Sequence, residues 1–208
     1  MRLAAVVLLV ACSATACGSG GSGSSGDAAT ATSTTVATDA PPVSAAAADP
    51  TCTQFHGTDG PLSTTGERPA ALLVDASVDE VGCLDRVTFE LESLGDGTPP
   101  GYTVGYQNLT EQPLLDENGN AIDVPAAAAL VVTITPARST DPRVPGAPAT
   151  YRGNLRLSYG ETHHIDIVRK LPDGASPDSV RWVIGLDGAR KFLVDSASDP
   201  TRVSVYIG

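Results

Sequence analysis

Lysine occurs only twice in the 208 residues, at Lys170 and Lys191, and tryptophan and methionine once each. Basic residues number 13 against 24 acidic ones, a formal charge of −11. That balance excludes nucleic acid or an anionic lipid surface as the main partner, since both are held by basic patches. Also missing is an apolar stripe of 3.6-residue period sustained over ten residues; the alanines at 126–129 are too few and follow Pro125. A helical domain is therefore excluded. The chain holds no G-x-S-x-G turn and no C-x-x-C pair, which leaves no sequence sign of a serine-hydrolase elbow or a dithiol redox centre.

What is present begins at the amino end. Met1 and Arg2 precede nine apolar residues, 3–11 (LAAVVLLVA). As a helix this run measures about 14 Å, half of a hydrocarbon core about 30 Å thick, so it fits an export signal and not a span. Small residues then lead into cysteine, the pattern of a lipoprotein signal, in which the thiol takes a diacylglyceryl group and the chain is cut just before it. Cys17, after Ala14, Thr15 and Ala16, is the expected lipidation site and leaves residues 1–16 as the signal peptide. Cys12, after Leu9, Val10 and Ala11, is the alternative; its local match is better, but it leaves a signal of only eleven residues. Acyl chains such as palmitate add about 0.8 kcal/mol per buried methylene, so two or three of them hold a protein at the outer face of the plasma membrane.

Residues 18–50 contain no aromatic residue and no Lys or Arg, and their only branched aliphatic residues are Val36 and Val43. Such a segment buries too little apolar surface to offset its ordering entropy. With Cys17 it is expected to form a disordered tether over 17–50 that lifts a domain away from the membrane. Residues 51–208 then suffice for one domain. Two cysteines remain there, Cys52 and Cys83, and an even pair in an oxidising compartment reads as a disulfide. Two free buried thiols are the alternative.

The domain alternates with period two, the spacing of strands with one buried face. Residues 86–92 (RVTFELE) and 203–207 (VSVYI) show it most cleanly, and 71–78, 102–107, 130–135, 164–169, 180–186 and 191–194 complete a set of eight short strands. Turn signals separate them, among them Asn118-Gly119, Pro172-Asp173-Gly174 and Asp187-Gly188. Asp187-Gly188 lies so close between two strands that a hairpin is expected there. The expected fold is an all-β sandwich with Phe89, Trp182 and Phe192 in its core.

The order of these segments carries a resemblance. The stretch 82–91 (GCLDRVTFEL) matches a G-x-D-R-V-x-F-E opening strand, and 100–106 (PGYTVGY) matches a following P-G-Y-x-V-x-Y. Residues 130–134 (LVVTI), 151–153 (YRG), 182–186 (WVIGL) and 200–203 (PTRV) follow in sequence. Over about 73–208 the chain resembles the AMIN-like domain of lipoproteins from high-GC Gram-positive bacteria. The resemblance implies a β-sandwich without catalytic activity, related to domains that direct envelope proteins to peptidoglycan. Cysteine at position 83 stands where a larger apolar residue is expected, and no amidase domain is expected to accompany this one.

Residue chemistry adds little to that. His163, His164 and Asp166 are the densest set of metal ligands, but on a strand His164 and Asp166 face one side and His163 the other, and zinc needs three or four ligands. No metal and no cofactor is expected. Glu90 and Glu92 alternate with Phe89 and Leu91 and read as the wet side of a strand, which leaves Asp85 without an acid/base partner. Tyr102, Tyr106, Tyr151 and Tyr159 with Arg152 and Arg156 offer rings for sugar faces and guanidinium groups for carboxylates, or else half-buried sheet positions. The expected function is a non-catalytic, lipid-anchored envelope protein whose sandwich binds peptidoglycan or an envelope protein partner. The alternative is an extracytoplasmic hydrolase assembled from loops, for example around His56.

Overall fold

A computed structural model describes residues 55–64, 67–173 and 177–208. The signal peptide, Cys12, Cys17, the tether and Cys52 lie outside the described residues. Ten strands run in chain order: β1 (Leu62–Ser63), β2 (Ala71–Val81), β3 (Leu84–Ser93), β4 (Gly101–Tyr106), β5 (Ala128–Thr135), β6 (Ala137–Arg138), β7 (Ile165–Lys170), β8 (Val180–Leu186), β9 (Phe192–Ser198) and β10 (Thr201–Ile207). No helix occurs among the described residues. The eight expected strands are all present; β1 and β6 are two-residue additions at sheet edges.

The strands form two five-stranded sheets, β1-β4-β5-β8-β7 and β6-β2-β3-β10-β9. All pairings are antiparallel except β2 with β6. Between the sheets lies a core of Val87, Phe89 and Leu91 from β3, Val203, Val205 and Ile207 from β10, and Val180, Trp182, Ile184 and Leu186 from β8. Period-two alternation is the cause: in β3 and β10 every second residue meets the opposite sheet, and the rest face outward. Each fully buried aliphatic or aromatic side chain contributes about 1.5–3 kcal/mol through removal from water. Trp182 is the centre, its ring 5.4 Å from Phe89 and 5.6 Å from Tyr151, the latter edge-on.

The hairpin expected at Asp187-Gly188 is not formed. β8 belongs to the first sheet and β9 to the second, so these residues carry the chain across the sandwich. The physical reason is that β8 already pairs with β5 on one side and β7 on the other, which leaves no open edge for β9. Strand β9 pairs instead with β10, through a tight turn at Asp199 and Pro200. Tyr106 clamps the crossing chain: its hydroxyl accepts from the Arg190 amide at 2.7 Å and donates to the Arg190 carbonyl at 2.6 Å.

The outer faces of the sheets differ. On the first, the connection between β4 and β5 folds back, and Leu109, Leu114, Ile122 and Val124 pack with Leu171 on Ala129, Val131 and Val183 in a second hydrophobic cluster. Gly185 lies beneath this cover, where a Cβ would stand 2.6 Å from Ile167 Cγ2 and 2.7 Å from Ala126 Cβ. The outer face of the second sheet has no comparable hydrophobic cluster among the described residues.

Candidate functional site

One end of the sandwich gathers the acidic and imidazole groups. Glu80 of β2 pairs in register with Asp85 of β3, Asp85 with Ile207 of β10, and Ile207 with Phe192 of β9. Asp85 faces inward with the core residues of its strand and is fully buried. Its Oδ1 accepts from the His163 amide at 2.9 Å, and its Oδ2 from the amides of His164 at 2.6 Å and Ile165 at 3.1 Å. Strand β7 starts only at Ile165, so His163 and His164 lie in a bend and do not alternate along a strand as expected. The bend leaves amides without ladder partners, and the buried carboxylate supplies them through charge-assisted bonds.

The side chains around this anchor are loosely placed. His163 Nε2 stands 3.8 Å from Glu80 Oε1, and His164 Nδ1 stands 3.5 Å from Asp187 Oδ2. The Arg190 guanidinium, by hydrogen bond and then by charge, holds the Asp187 carboxyl below the usual range, with His164 a smaller cause. Glu80, Asp85 and His163 bring one potential ligand atom each within 4.8 Å of one another. That set is a poor metal centre, because both Asp85 oxygens are committed to main-chain amides and a zinc site demands directed, deprotonated ligands. It is an equally poor hydrolase, since a triad carboxylate orients its histidine through the ring N–H, whereas Asp85 bonds histidine backbone. The Thr162 hydroxyl donates to the Ile165 carbonyl at 2.7 Å. His56, the seed of the hydrolase alternative, is exposed and forms no ion pair among the described residues. Cys83, in the turn between β2 and β3, lines a shallow pocket with His163, His164 and Gly208.

The tyrosines form no common platform. Tyr151 is buried against Trp182, and Tyr102, Tyr106 and Tyr159 are half-buried against the same core. Burial raises the phenol pKa of Tyr106, Tyr151 and Tyr159 above its ordinary value. Arg152 and Arg156 are exposed. The reading as half-buried sheet positions holds for Tyr102 and Tyr106 of β4, whereas Tyr151 is buried and it and Tyr159 lie outside the strands. Glu90 and Glu92 sit on the outer face, as expected.

Two features escaped the sequence reading. The first is Tyr206, which alternation along VSVYI places on the outer face of the second sheet. The Arg86 guanidinium lies 5.9 Å over its ring and is bound by the Asp79 carboxylate, which raises the guanidinium's already high pKa. Thr88 and Ser204 share a hydrogen bond of 3.2 Å beside them. The second is Arg181, which the same alternation sets opposite Trp182 on the outer face of the first sheet. It lines a groove with Gln107, Leu115, Glu117, Pro172 and Asp173 at the border of the hydrophobic cover.

Comparison with curated proteins and with solved structures returns no match. A family model for the AMIN-like domain matches residues 71–208, from the first residue of β2 through β10. The match spans both sheets and points to an extracytoplasmic role at the cell envelope. The chain belongs to the AMIN-like domain family.

Proposed function

We propose that this protein is a non-catalytic envelope module, fastened to the outer face of the plasma membrane through acyl chains on Cys17, with its sandwich binding peptidoglycan or an envelope protein partner. The observation that carries the reading is the family match over residues 71–208. AMIN-like domains are in general envelope-binding and without catalysis. The sandwich-end cluster supports the same reading, because its one buried carboxylate is committed to main-chain amides and not to a reacting group. Lipidation rests on the residues before Cys17, with Cys12 as the alternative acceptor. The tether over 17–50 gives the domain reach, about 30 Å for a flexible coil of this length.

Two measurements test the proposal. Cells fed an alkyne-bearing fatty acid are expected to label the wild-type chain and not Cys17→Ala, while Cys12→Ala keeps its label; the reverse result moves the anchor to Cys12. Purified protein is then mixed with washed wall sacculi, and the living cells are treated with a crosslinker. Retention by sacculi, or a reproducible crosslink to an envelope protein, is expected. Full recovery in the soluble fraction together with no crosslinked partner defeats the binding reading.

A further inference from the structure

The groove on the outer face of the first sheet holds Arg181 among three carboxylates, Asp116, Glu117 and Asp173, none of which forms an ion pair with it. Arg86, Arg138, Arg143 and Arg190 each pair with an aspartate, whereas Arg169, Arg181 and Arg202 are half-buried and form no ion pair among the described residues. Arg181, half-buried on the groove floor, makes no ion pair and no side-chain hydrogen bond among the described residues. This occurs in a chain with 24 acidic residues against 13 basic ones. Taking a guanidinium partly out of water without a direct partner costs free energy.

The walls suit a specific chemistry. Asp116 accepts the amides of Asn118 and Asn120, each at 2.8 Å, so the loop tip that forms one wall is internally braced. Asp173 on the other wall is paired with Lys170 at 2.5 Å. Glu117, exposed in the same groove, has no ion-pair partner among the described residues. Past Asp116 and Glu117 the depression continues to Arg169 and Leu155. Leu115 and Leu155, which are 51% and 62% exposed, give it two apolar rims.

We infer that this groove recognises a short peptide bearing a free carboxylate and an amine, the carboxylate on Arg181, the amine at Glu117 and aliphatic side chains against Leu115 and Leu155. A planar guanidinium receives a carboxylate through two parallel hydrogen bonds, a geometry that a neutral sugar hydroxyl does not reproduce. The inference rests on the envelope-binding reading and sharpens it: of the two components of peptidoglycan, the site takes the stem peptide and not the glycan strand. The polar outer face of the second sheet is a weaker candidate, because Arg86 is already held by Asp79 and Tyr206.

The test uses the full-length protein with two probes, soluble muropeptides released from sacculi by a muramidase and glycan strands stripped of peptide by an amidase. Binding is followed by calorimetry at low salt. Wild type is expected to bind muropeptides and to ignore peptide-free glycan. Arg181→Ala is expected to weaken muropeptide binding at least tenfold with an unchanged thermal midpoint, Arg181→Lys to recover part of it, and Arg86→Ala on the opposite face to bind as wild type. Equal muropeptide affinity in Arg181→Ala, or equal binding of peptide-free glycan, overturns the inference while sacculus retention leaves the envelope reading standing. Failure of the wild type to bind either sacculi or muropeptides removes the inference together with the wall arm of that reading.

Discussion

At the scale of single residues, Asp85 shows how one buried charge fixes a fold. It joins the second sheet to the segment that opens β7 of the first, through three amides at 2.6–3.1 Å. Replacement by alanine leaves one buried donor, the Ile165 amide, and two part-buried ones without an acceptor, and an unsatisfied buried donor costs about 1–3 kcal/mol. We expect Asp85→Ala to destabilise the domain by about 3–5 kcal/mol in urea unfolding, with faster amide exchange at His163, His164 and Ile165. Asp85→Asn keeps one carbonyl acceptor and should fall between alanine and wild type. A loss below 1 kcal/mol for the alanine variant contradicts this account. Alternation alone identifies Glu90 and Glu92 as solvated, and by the same count puts Asp85 inside; what it does not supply is the partner. That partner is main chain 78 residues further on, and no side-chain pattern encodes it.

At the scale of elements, strands were legible wherever polar and apolar residues alternate, as in RVTFELE and VSVYI. Pairing was less so. The turn chemistry of Asp187-Gly188 is compatible with a hairpin, but whether β8 has a free edge depends on β5 and β7, which are distant in sequence. The cover on the first sheet escaped for a related reason: Leu109, Leu114, Ile122 and Val124 follow no strand or helix period, and their burial depends on the sheet beneath them. Gly185 tests that cover. A methyl there meets Ile167 at 2.6 Å, Ala126 at 2.7 Å and Val124 at 3.2 Å, so the strand and the covering segment must separate. Overpacking of this kind costs about 1–3 kcal/mol. Gly185→Ala is expected to lower the urea midpoint accordingly. Gly160→Ala, where no atom lies within 4 Å, serves as control and should stay within about 0.5 kcal/mol of wild type. Equal effects at the two positions show that the cover is not packed as described.

At the scale of the whole molecule, the question is what holds the residues before β1 to the sandwich. Phe55 and Leu84 both approach Gly208, and Thr58 bridges to Phe192 of β9, so the chain enters at the end where Cys83 and the histidines lie. Cys52 is three residues before Phe55, within about 10 Å of extended chain. A disulfide needs Cα atoms within about 7 Å, and Leu84 already brings its neighbour Cys83 to this corner. We therefore propose the Cys52–Cys83 bond as a strap from the first residues of the domain to the turn between β2 and β3. It would close a loop of about 32 residues and add about 3 kcal/mol by restricting the unfolded chain. The bond also bears on catalysis, since a cysteine locked in it offers no thiolate to His163 or His164. Unreduced protein is expected to weigh about 2 Da less than reduced protein and to show no thiol at either position. Cys83→Ser should lower unfolding free energy by about 3 kcal/mol while its muropeptide affinity stays that of wild type, because Arg181 lies on the outer face of the first sheet and not at this corner. Titration of free thiols at both positions in unreduced, folded protein rules the strap out and reopens the corner to thiol chemistry.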